Sequence, residues 1–257
     1  MWLRLRQIAI VVAELEPVVE DLRQVLGIAV CHRDPGVGKY GLENVLMPVG
    51  NQFLEVVAPT EPGTAGGRYL ERRGGDGGYM VIAQCDDHAP RRARVAELGI
   101  RLVSQSDRDT FRNMQMHPKD TGGSFFEIDE QLGARAHDAD GPWDPAGGAG
   151  WTAARHTERV GDIVAAEVQC DDPATVATRW AAIAEWRLES RGESTYELAL
   201  DNATIRFVAC TDGRPEGLGG IDVVTNDRDA IITAARSQGL PVDDGTMLIG
   251  GLRIRLV

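Results

Sequence analysis

The sequence predicts an α+β protein built from four β-α-β-β-β modules, which pair into two tandem domains. Three observations lead to this prediction. The string QCDD occurs at residues 84–87 and 169–172, each time between a short apolar strand and a helix with apolar residues at three- and four-residue spacing. Glycine follows the helical patterns, and a segment rich in Gly, Pro and Asp divides the chain near its middle. A single module would leave a sheet face uncovered, so modules are expected to pair.

The strand–helix units that open the modules lie at residues 8–28, 79–100, 163–186 and 221–240. An acidic or Asn residue after each strand is placed to cap the coming helix, and Gly ends the helix in VLGI, ELGI and SQGL. Strand-like runs follow the helices: IAVCHR, ENVLMP and QFLEVVAP; IRLVSQ, NMQMHP and SFFEID; YELALD and TIRFVAC; and finally TMLIGGLRIRLV.

The modules predict a first domain at residues 1–131 and a second at 152–257. Residues 132–151 lack periodicity and are predicted to link the two. Residues 72–78, RRGGDGG, lack the Lys-Ser/Thr of a phosphate-binding loop and are predicted to form a flexible linker between the first two modules. Four tryptophans in or after the domain linker suit domain packing or a lid: Trp143, Trp151, Trp180 and Trp186.

Charge and cysteine usage exclude several classes of protein. The formal net charge of −12 argues against nucleic acid or anionic membrane as a partner, because both require a cationic face. The four cysteines lie far apart without a C-x-x-C pair, which favours a reducing compartment over a disulfide scaffold or zinc site. The first residues lack the apolar region of a signal peptide, and no stretch approaches a membrane span. We therefore expect a cytoplasmic protein that binds a small molecule.

Three motifs, LRQIAIVV, MPVGNQFLEVVAP and HPKDTGGSFFEIDE, carry a family resemblance. Together with the paired modules, they resemble the vicinal oxygen chelate superfamily, which includes glyoxalase I, bleomycin-resistance proteins, extradiol dioxygenases and methylmalonyl-CoA epimerase. The motifs are most similar to the epimerase and lie within residues 1–131. The resemblance implies tandem glyoxalase-like domains, of which the second is degenerate.

The resemblance also implies a cavity in which the first and last strands of each module hold a divalent metal. Its ligands would be Gln7, Glu55 and Glu127, and the ion Mn²⁺, Co²⁺, Mg²⁺, Ni²⁺ or Zn²⁺. The fourth position, normally His, is Met80, and a thioether is a poor ligand for such ions. The alternatives are a proton shared between Glu55 and Glu127, or a Glu127 that is solvated or paired with an arginine.

Two further residues bear on catalysis. In the epimerase family, a glutamate before the third strand is the second base, but GVGKYGLEN has residues 38–40 at that place. Glu43 would replace this base only if the register shifts. His117, in the HPKDTGG turn, is a candidate general acid or base, and a structural role in the loop is the alternative.

The second domain has Arg206 and Arg255 at the positions that match Glu55 and Glu127, and Ala165 and Gly220 open its modules. No divalent cation is expected beside guanidinium groups. Such arginines either bind an anion or pair with carboxylates, for which the candidates are Asp162, Asp222 and Glu197.

The sequence thus predicts an enzyme that moves a proton next to the carbonyl of a small carboxylate or acyl thioester. Its catalytic residues would be Glu127, Glu55 and His117, and the sequence is compatible with a divalent metal and with a homodimer. The alternative is a binding protein of the bleomycin-resistance type, which sequesters a small molecule without chemistry.

Overall fold

A computed structural model describes residues 1–192 and 194–257. The first half contains β1 (Leu3–Val11), α1 (Leu15–Leu26), a 3₁₀ helix (Pro35–Tyr40), β2 (Leu42–Val49), β3 (Gln52–Pro59), α2 (Ala65–Arg73), β4 (Gly77–Cys85), α3 (His88–Glu97), β5 (Leu102–Asp107), β6 (Phe111–Met116), α4 (Pro118–Thr121) and β7 (Phe125–Gln131).

Two further 3₁₀ helices, Asp144–Ala146 and Ala149–Ala154, lead into the second half. It contains β8 (Val160–Cys170), α5 (Pro173–Ala184), β9 (Leu188–Ser190), β10 (Tyr196–Ala199), β11 (Thr204–Ala209), β12 (Gly217–Thr225), α6 (Arg228–Ser237), β13 (Val242–Asp243), β14 (Thr246–Ile249) and β15 (Leu252–Leu256). No helix in the described ranges is both long and apolar enough to cross a membrane.

The strands form two separate sheets, with the orders β2-β3-β1-β4-β7-β6-β5 and β13-β14-β15-β12-β8-β11-β10-β9. Within each sheet, the opening strands of two modules pair antiparallel, β1 with β4 and β8 with β12. Each opening strand also pairs in parallel with the last strand of its own module. The predicted α+β class and the tandem pairing of modules are confirmed.

The predicted helix caps are largely present. The carboxylates of Asp87, Asp172 and Asp227 accept hydrogen bonds from backbone N–H groups in the first turns of α3, α5 and α6. The glycines of VLGI, ELGI and SQGL have φ values of 70°, 66° and 75°, the left-handed conformation that glycine adopts without strain. Only α1 begins without a side-chain cap among these four helices.

Two local predictions were wrong. IAVCHR does not form a strand: its pairing with β2 is reduced to an isolated bridge between His32 and Leu46, after which the chain enters the 3₁₀ helix. Residues 72–78 are not a linker, because α2 continues to Arg73 and β4 begins at Gly77. The first two modules are therefore joined by α2 and the short turn that follows it.

The two sheets share one hydrophobic core. Along β1, Ile8 and Ile10 belong to this core, whereas Ala9 and Val11 point to the opposite face, as the two-residue period of a strand requires. The core continues from the first sheet into the second domain. At their junction, Phe126 of β7 and Trp180 of α5 stack with ring centroids 4.2 Å apart and an interplanar angle of 10°.

Residues 132–151, called the interdomain segment below, lie against the other face of the first sheet. The side chains of Trp143 and Trp151 are 0% and 1% exposed and make edge contacts with Phe111 and Phe53. The guanidinium of Arg6 donates to the carbonyl oxygens of residues 139 and 141, at 2.7 and 3.1 Å. The segment is thus packed and bonded to the first sheet rather than free.

Candidate functional site

A cavity of about 620 Å³ lies on the face of the first sheet that also carries the interdomain segment. Its apolar lining includes Met80, Ile82, Phe111 and Phe125. Polar side chains from five strands point into the same space: Gln7, Asn44, Glu55, Asn113, Gln115, Glu127 and Asp129. An apolar cavity with a few convergent polar groups is the usual form of a small-molecule site.

Glu55 is held by amide groups. One of its carboxylate oxygens accepts from Gln7 Nε2 at 2.8 Å and the other from Asn44 Nδ2 at 2.6 Å. Gln7 Oε1 in turn accepts from the indole Nε1 of Trp143 at 2.9 Å. Burial raises the pKa of Glu55, and the bonds from Asn44 and Gln7 oppose this only in part. Glu55 therefore sits at the end of a fixed chain of donors.

Glu127 and Asp129 are neighbours on one face of β7, two residues apart. Within the described residues, neither oxygen of Asp129 receives a well-aligned bond from an N–H or O–H donor. Burial, the charge of Glu127 and a hydrogen bond to Glu127 all raise the pKa of Asp129 well above its usual value. Asp129 therefore favours its protonated form more than an ordinary carboxyl does, and in that form it can donate a hydrogen bond to Glu127.

The pKa of Glu127 rises to about 7, first because of burial and least because of the charge of Glu55. Bonds from Asn113 and Asp129 act in the opposite direction. Asn113 Nδ2 donates to Glu127 at 3.3 Å, and Ser106 orients that amide by donating to its oxygen at 2.8 Å. The sequence analysis offered a proton shared between Glu55 and Glu127, but the carboxyl group with the larger effect on the pKa of Glu127 is Asp129.

The structure brings Gln7, Glu55 and Glu127 into one cavity, and Met80 lines it at the expected place. Met80 of β4 pairs with Phe125 of β7, two residues before Glu127, so Met80 and Glu127 lie on the same face of the sheet. The thioether of Met80 accepts a hydrogen bond from Gln115 Nε2 at 3.4 Å.

His117 stays apart from the cavity lining. It precedes α4, where its Nδ1 accepts from the backbone N–H of Lys119 at 3.2 Å, so its observed contact is the structural one. Glu43 is exposed, because it alternates with the inward-facing Asn44 along β2. Lys39 and Tyr40 line the cavity on the 3₁₀ helix.

Sequence reasoning missed Asp129 and Trp143 as parts of the site. The signal for Asp129 was present in FFEID, because alternate residues of a strand share a face. Trp143 lies 136 residues from its partner Gln7, and no local pattern connects the two.

The residues present do not fit a divalent metal. Gln7 turns its amide nitrogen towards Glu55 and gives its oxygen to Trp143, and both oxygens of Glu55 accept from amides. Across residues 1–192 and 194–257, no three His, Cys, Asp or Glu side chains converge as metal ligands would. Amide donors stand where the superfamily resemblance implied a cation.

The arginines of the second domain form ion pairs. Arg206 and Arg255 both donate to the buried carboxylate of Asp222, which was one of the predicted partners. Burial alone would raise the pKa of Asp222, but the two guanidinium groups lower it. Arg206 also lies 3.7 Å from Glu167, which is bonded to Arg253. These contacts stabilise the fold, and they occupy the guanidinium groups that would otherwise bind an anion.

Comparisons with known proteins agree with this architecture. Residues 8–184 match the family model described as a glyoxalase-like domain. The ethylmalonyl-CoA/methylmalonyl-CoA epimerase of Cereibacter sphaeroides is 23% identical over 133 residues, which are 49% of this chain and 97% of that protein. A hypothetical protein from Staphylococcus aureus shares the fold over 100% of both chains, with 12% identity and a TM-score of 0.65. Methylmalonyl-CoA epimerase from Mycobacterium tuberculosis matches 52% of this chain and 91% of its own, with 25% identity and a TM-score of 0.45.

Proposed function

The chain belongs to the glyoxalase-like domain family of the vicinal oxygen chelate superfamily, and from that premise we propose that its first cavity catalyses proton transfer next to a carbonyl. The substrate is a small carboxylate or an acyl thioester. The observation that carries this proposal is the pair of buried carboxyl groups, Glu127 and Asp129, which lie side by side on β7 in a cavity of about 620 Å³.

Glu127 serves as the general base. A base is most effective when its pKa is close to the working pH, and burial places the pKa of Glu127 at about 7. Asp129 lies beside Glu127 on β7, and its raised pKa favours the protonated form that can donate to the base. That hydrogen bond moderates the rise in the pKa of Glu127.

Two amides are suited to stabilise the charge that develops on the substrate oxygen. Within the part of the chain that the structure describes, Gln115 Nε2 donates only to the sulfur of Met80, a weak acceptor, so a substrate carbonyl would compete for that donor easily. Asn113 Nδ2 lies beside the base, at 3.3 Å from Glu127. Fixed donors near a forming oxyanion act strongly in a site that excludes water.

Glu55 is the candidate for the second base in an epimerisation, in which protons are exchanged on two faces of one carbon. It lies on β3, separated from β7 by β1 and β4, so it approaches the cavity from the other half of the sheet. Burial raises its pKa, which improves its basicity near neutral pH. His117 receives no role in this mechanism, because its ring caps α4.

Two observations favour the acyl thioester over the small carboxylate. Lys39 lies along the cavity lining, where its ammonium group is placed to pair with an anionic part of a thioester such as a CoA ester. The similar Cereibacter sphaeroides protein is described as an ethylmalonyl-CoA/methylmalonyl-CoA epimerase, and both of those compounds are acyl thioesters.

The test is hydrogen–deuterium exchange at the α-carbon of methylmalonyl-CoA in D₂O, followed by NMR with EDTA present. We expect exchange by the native chain and a loss of at least about a hundredfold in Glu127→Gln, the usual range for general bases. Glu43→Gln, an exposed change on the same sheet, is the matched control and should exchange normally. Absence of exchange across a panel of acyl thioesters and small carboxylates would contradict the proposal.

The second candidate, a binding protein that sequesters its ligand, is favoured by one observation. Both oxygens of Glu55 are already satisfied by Gln7 and Asn44, which is the arrangement of a fixed binding wall. Calorimetric titration separates the two candidates. Tight binding of a thioester without α-proton exchange, unchanged in Glu127→Gln, would support sequestration.

A further inference from the structure

The Gln7 amide has only one orientation that its surroundings accept. The indole Nε1–H of Trp143 is a donor and never an acceptor, so the atom of Gln7 that faces it at 2.9 Å must be oxygen. The amide nitrogen then faces Glu55 at 2.8 Å. Trp143 is 0% exposed and Gln7 is 2% exposed, so water does not compensate either group.

A divalent cation beside Glu55 would require the opposite orientation. Gln7 would have to turn its oxygen towards Glu55, because amide ligands bind cations through oxygen. The amide nitrogen would then face the indole N–H, which would bring two donors together and leave a buried donor without a partner. The second carboxylate oxygen of Glu55 is also engaged, by Asn44 at 2.6 Å.

We propose that Trp143, supplied by the interdomain segment, is a positioning residue that fixes the Gln7 amide and thereby keeps divalent metal away from Glu55. The cavity thus uses a chain of N–H donors, from indole to amide to carboxylate, in place of a cation. The inference concerns the ligand chemistry of the cavity and stands whether or not the cavity is catalytic.

The interdomain segment makes this arrangement possible. Arg6 bonds to the carbonyl oxygens of residues 139 and 141, just before Trp143. Trp143 is therefore held against the first sheet by the stretch of chain that precedes it. Trp151 is similarly buried, yet its indole N–H does not reach Gln7, which makes it a matched control.

The experiment is a titration of the full chain with Mn²⁺, in which electron paramagnetic resonance measures the free ion. Trp143→Phe keeps an aromatic ring but removes the N–H, so Gln7 can turn. We expect its dissociation constant to be at least about fivefold lower than that of the native chain, the factor equivalent to one neutral hydrogen bond. Trp151→Phe should behave like the native chain, and Trp143→Phe/Glu55→Gln should lose the gain.

Equal Mn²⁺ affinity of the native chain and Trp143→Phe would overturn the inference. So would a gain in Mn²⁺ affinity that persists in Trp143→Phe/Glu55→Gln. If Trp143→Phe fails to fold, Gln7→Leu provides the second test with Trp143 in place. The indole N–H resonance of Trp143 should then shift and exchange faster with solvent, while that of Trp151 stays unchanged. An unaltered Trp143 resonance would refute the contact on which the inference depends.

Discussion

Replacement of Glu127 by Gln should make the protein more stable at neutral and higher pH. Burial raises the pKa of Glu127 in the folded state from an ordinary value of 4.5 to about 7. Between these two values the folded state binds a proton that the unfolded state has released, so the free energy of unfolding falls as pH rises through this window. Below 4.5 both states are protonated, and above 7 the loss is complete. Gln does not titrate, so the free energy of unfolding of Glu127→Gln does not fall in this window.

The magnitude follows from the pKa values. One pKa unit corresponds to about 1.4 kcal/mol, so the native chain should lose about 3 kcal/mol from this group between pH 4.5 and pH 8. The advantage of Glu127→Gln over the native chain should grow by the same amount. Removal of the charge also eases the ionisation of Asp129, which acts in the same direction.

Urea denaturation followed by tryptophan fluorescence, at several pH values between 4.5 and 8, measures this difference. Glu43→Gln, which changes an exposed carboxylate of β2, should follow the native chain at every pH. A difference between Glu127→Gln and the native chain that does not vary with pH would refute the reasoning, and so would an advantage confined to low pH.

Three other predictions concern single contacts. Asp129→Leu should raise the pKa of Glu127 above about 7, because it removes a hydrogen-bond donor to that carboxylate. Asp129→Asn keeps a donor and should not raise this pKa. Carboxyl ¹³C titration by NMR distinguishes the two variants. Asp222→Asn should lower the free energy of unfolding at pH 7 by about 1–3 kcal/mol, because it removes the charged hydrogen bonds that Arg206 and Arg255 donate. The difference should shrink in acid, as the native carboxylate is protonated. Trp180→Ala should lower the free energy of unfolding by about 3–5 kcal/mol, because it opens a cavity beside Phe126. Trp180→Phe keeps a ring there and should lose much less stability. Denaturation of both variants makes the comparison.

The sequence predicts the fold well because its signals are local and repeated. Strand–helix units recur four times, with an Asp cap on three of the helices and a terminal glycine on three, and each signal reflects the bonding needs of one helix end. IAVCHR failed as a strand because an apolar run specifies a strand only when a neighbouring edge accepts it. Here the single bridge between His32 and Leu46 is all that forms before Pro35 begins the 3₁₀ helix.

The site was only partly predictable, for a related reason. Register alone places Gln7, Glu55 and Glu127 on one face of the sheet, so a cavity with carboxylates could be expected. What those carboxylates contact depends on tertiary packing. The indole of Trp143 comes from a segment whose composition is typical of a linker, and its contact with Gln7 defines the ligand chemistry of the cavity.

The continuous core between the sheets has a consequence for how such a protein can change over time. Phe126 and Trp180 join the two halves within one chain, so each half meets its partner at a high effective concentration and never has to find it by diffusion. One half can therefore support the other by packing without a ligand site of its own. In the second half, the positions that match Glu55 and Glu127 hold Arg206 and Arg255, which are bound to Asp222. Substitutions that alter these charges should be assessed by their effect on packing rather than on ligand binding.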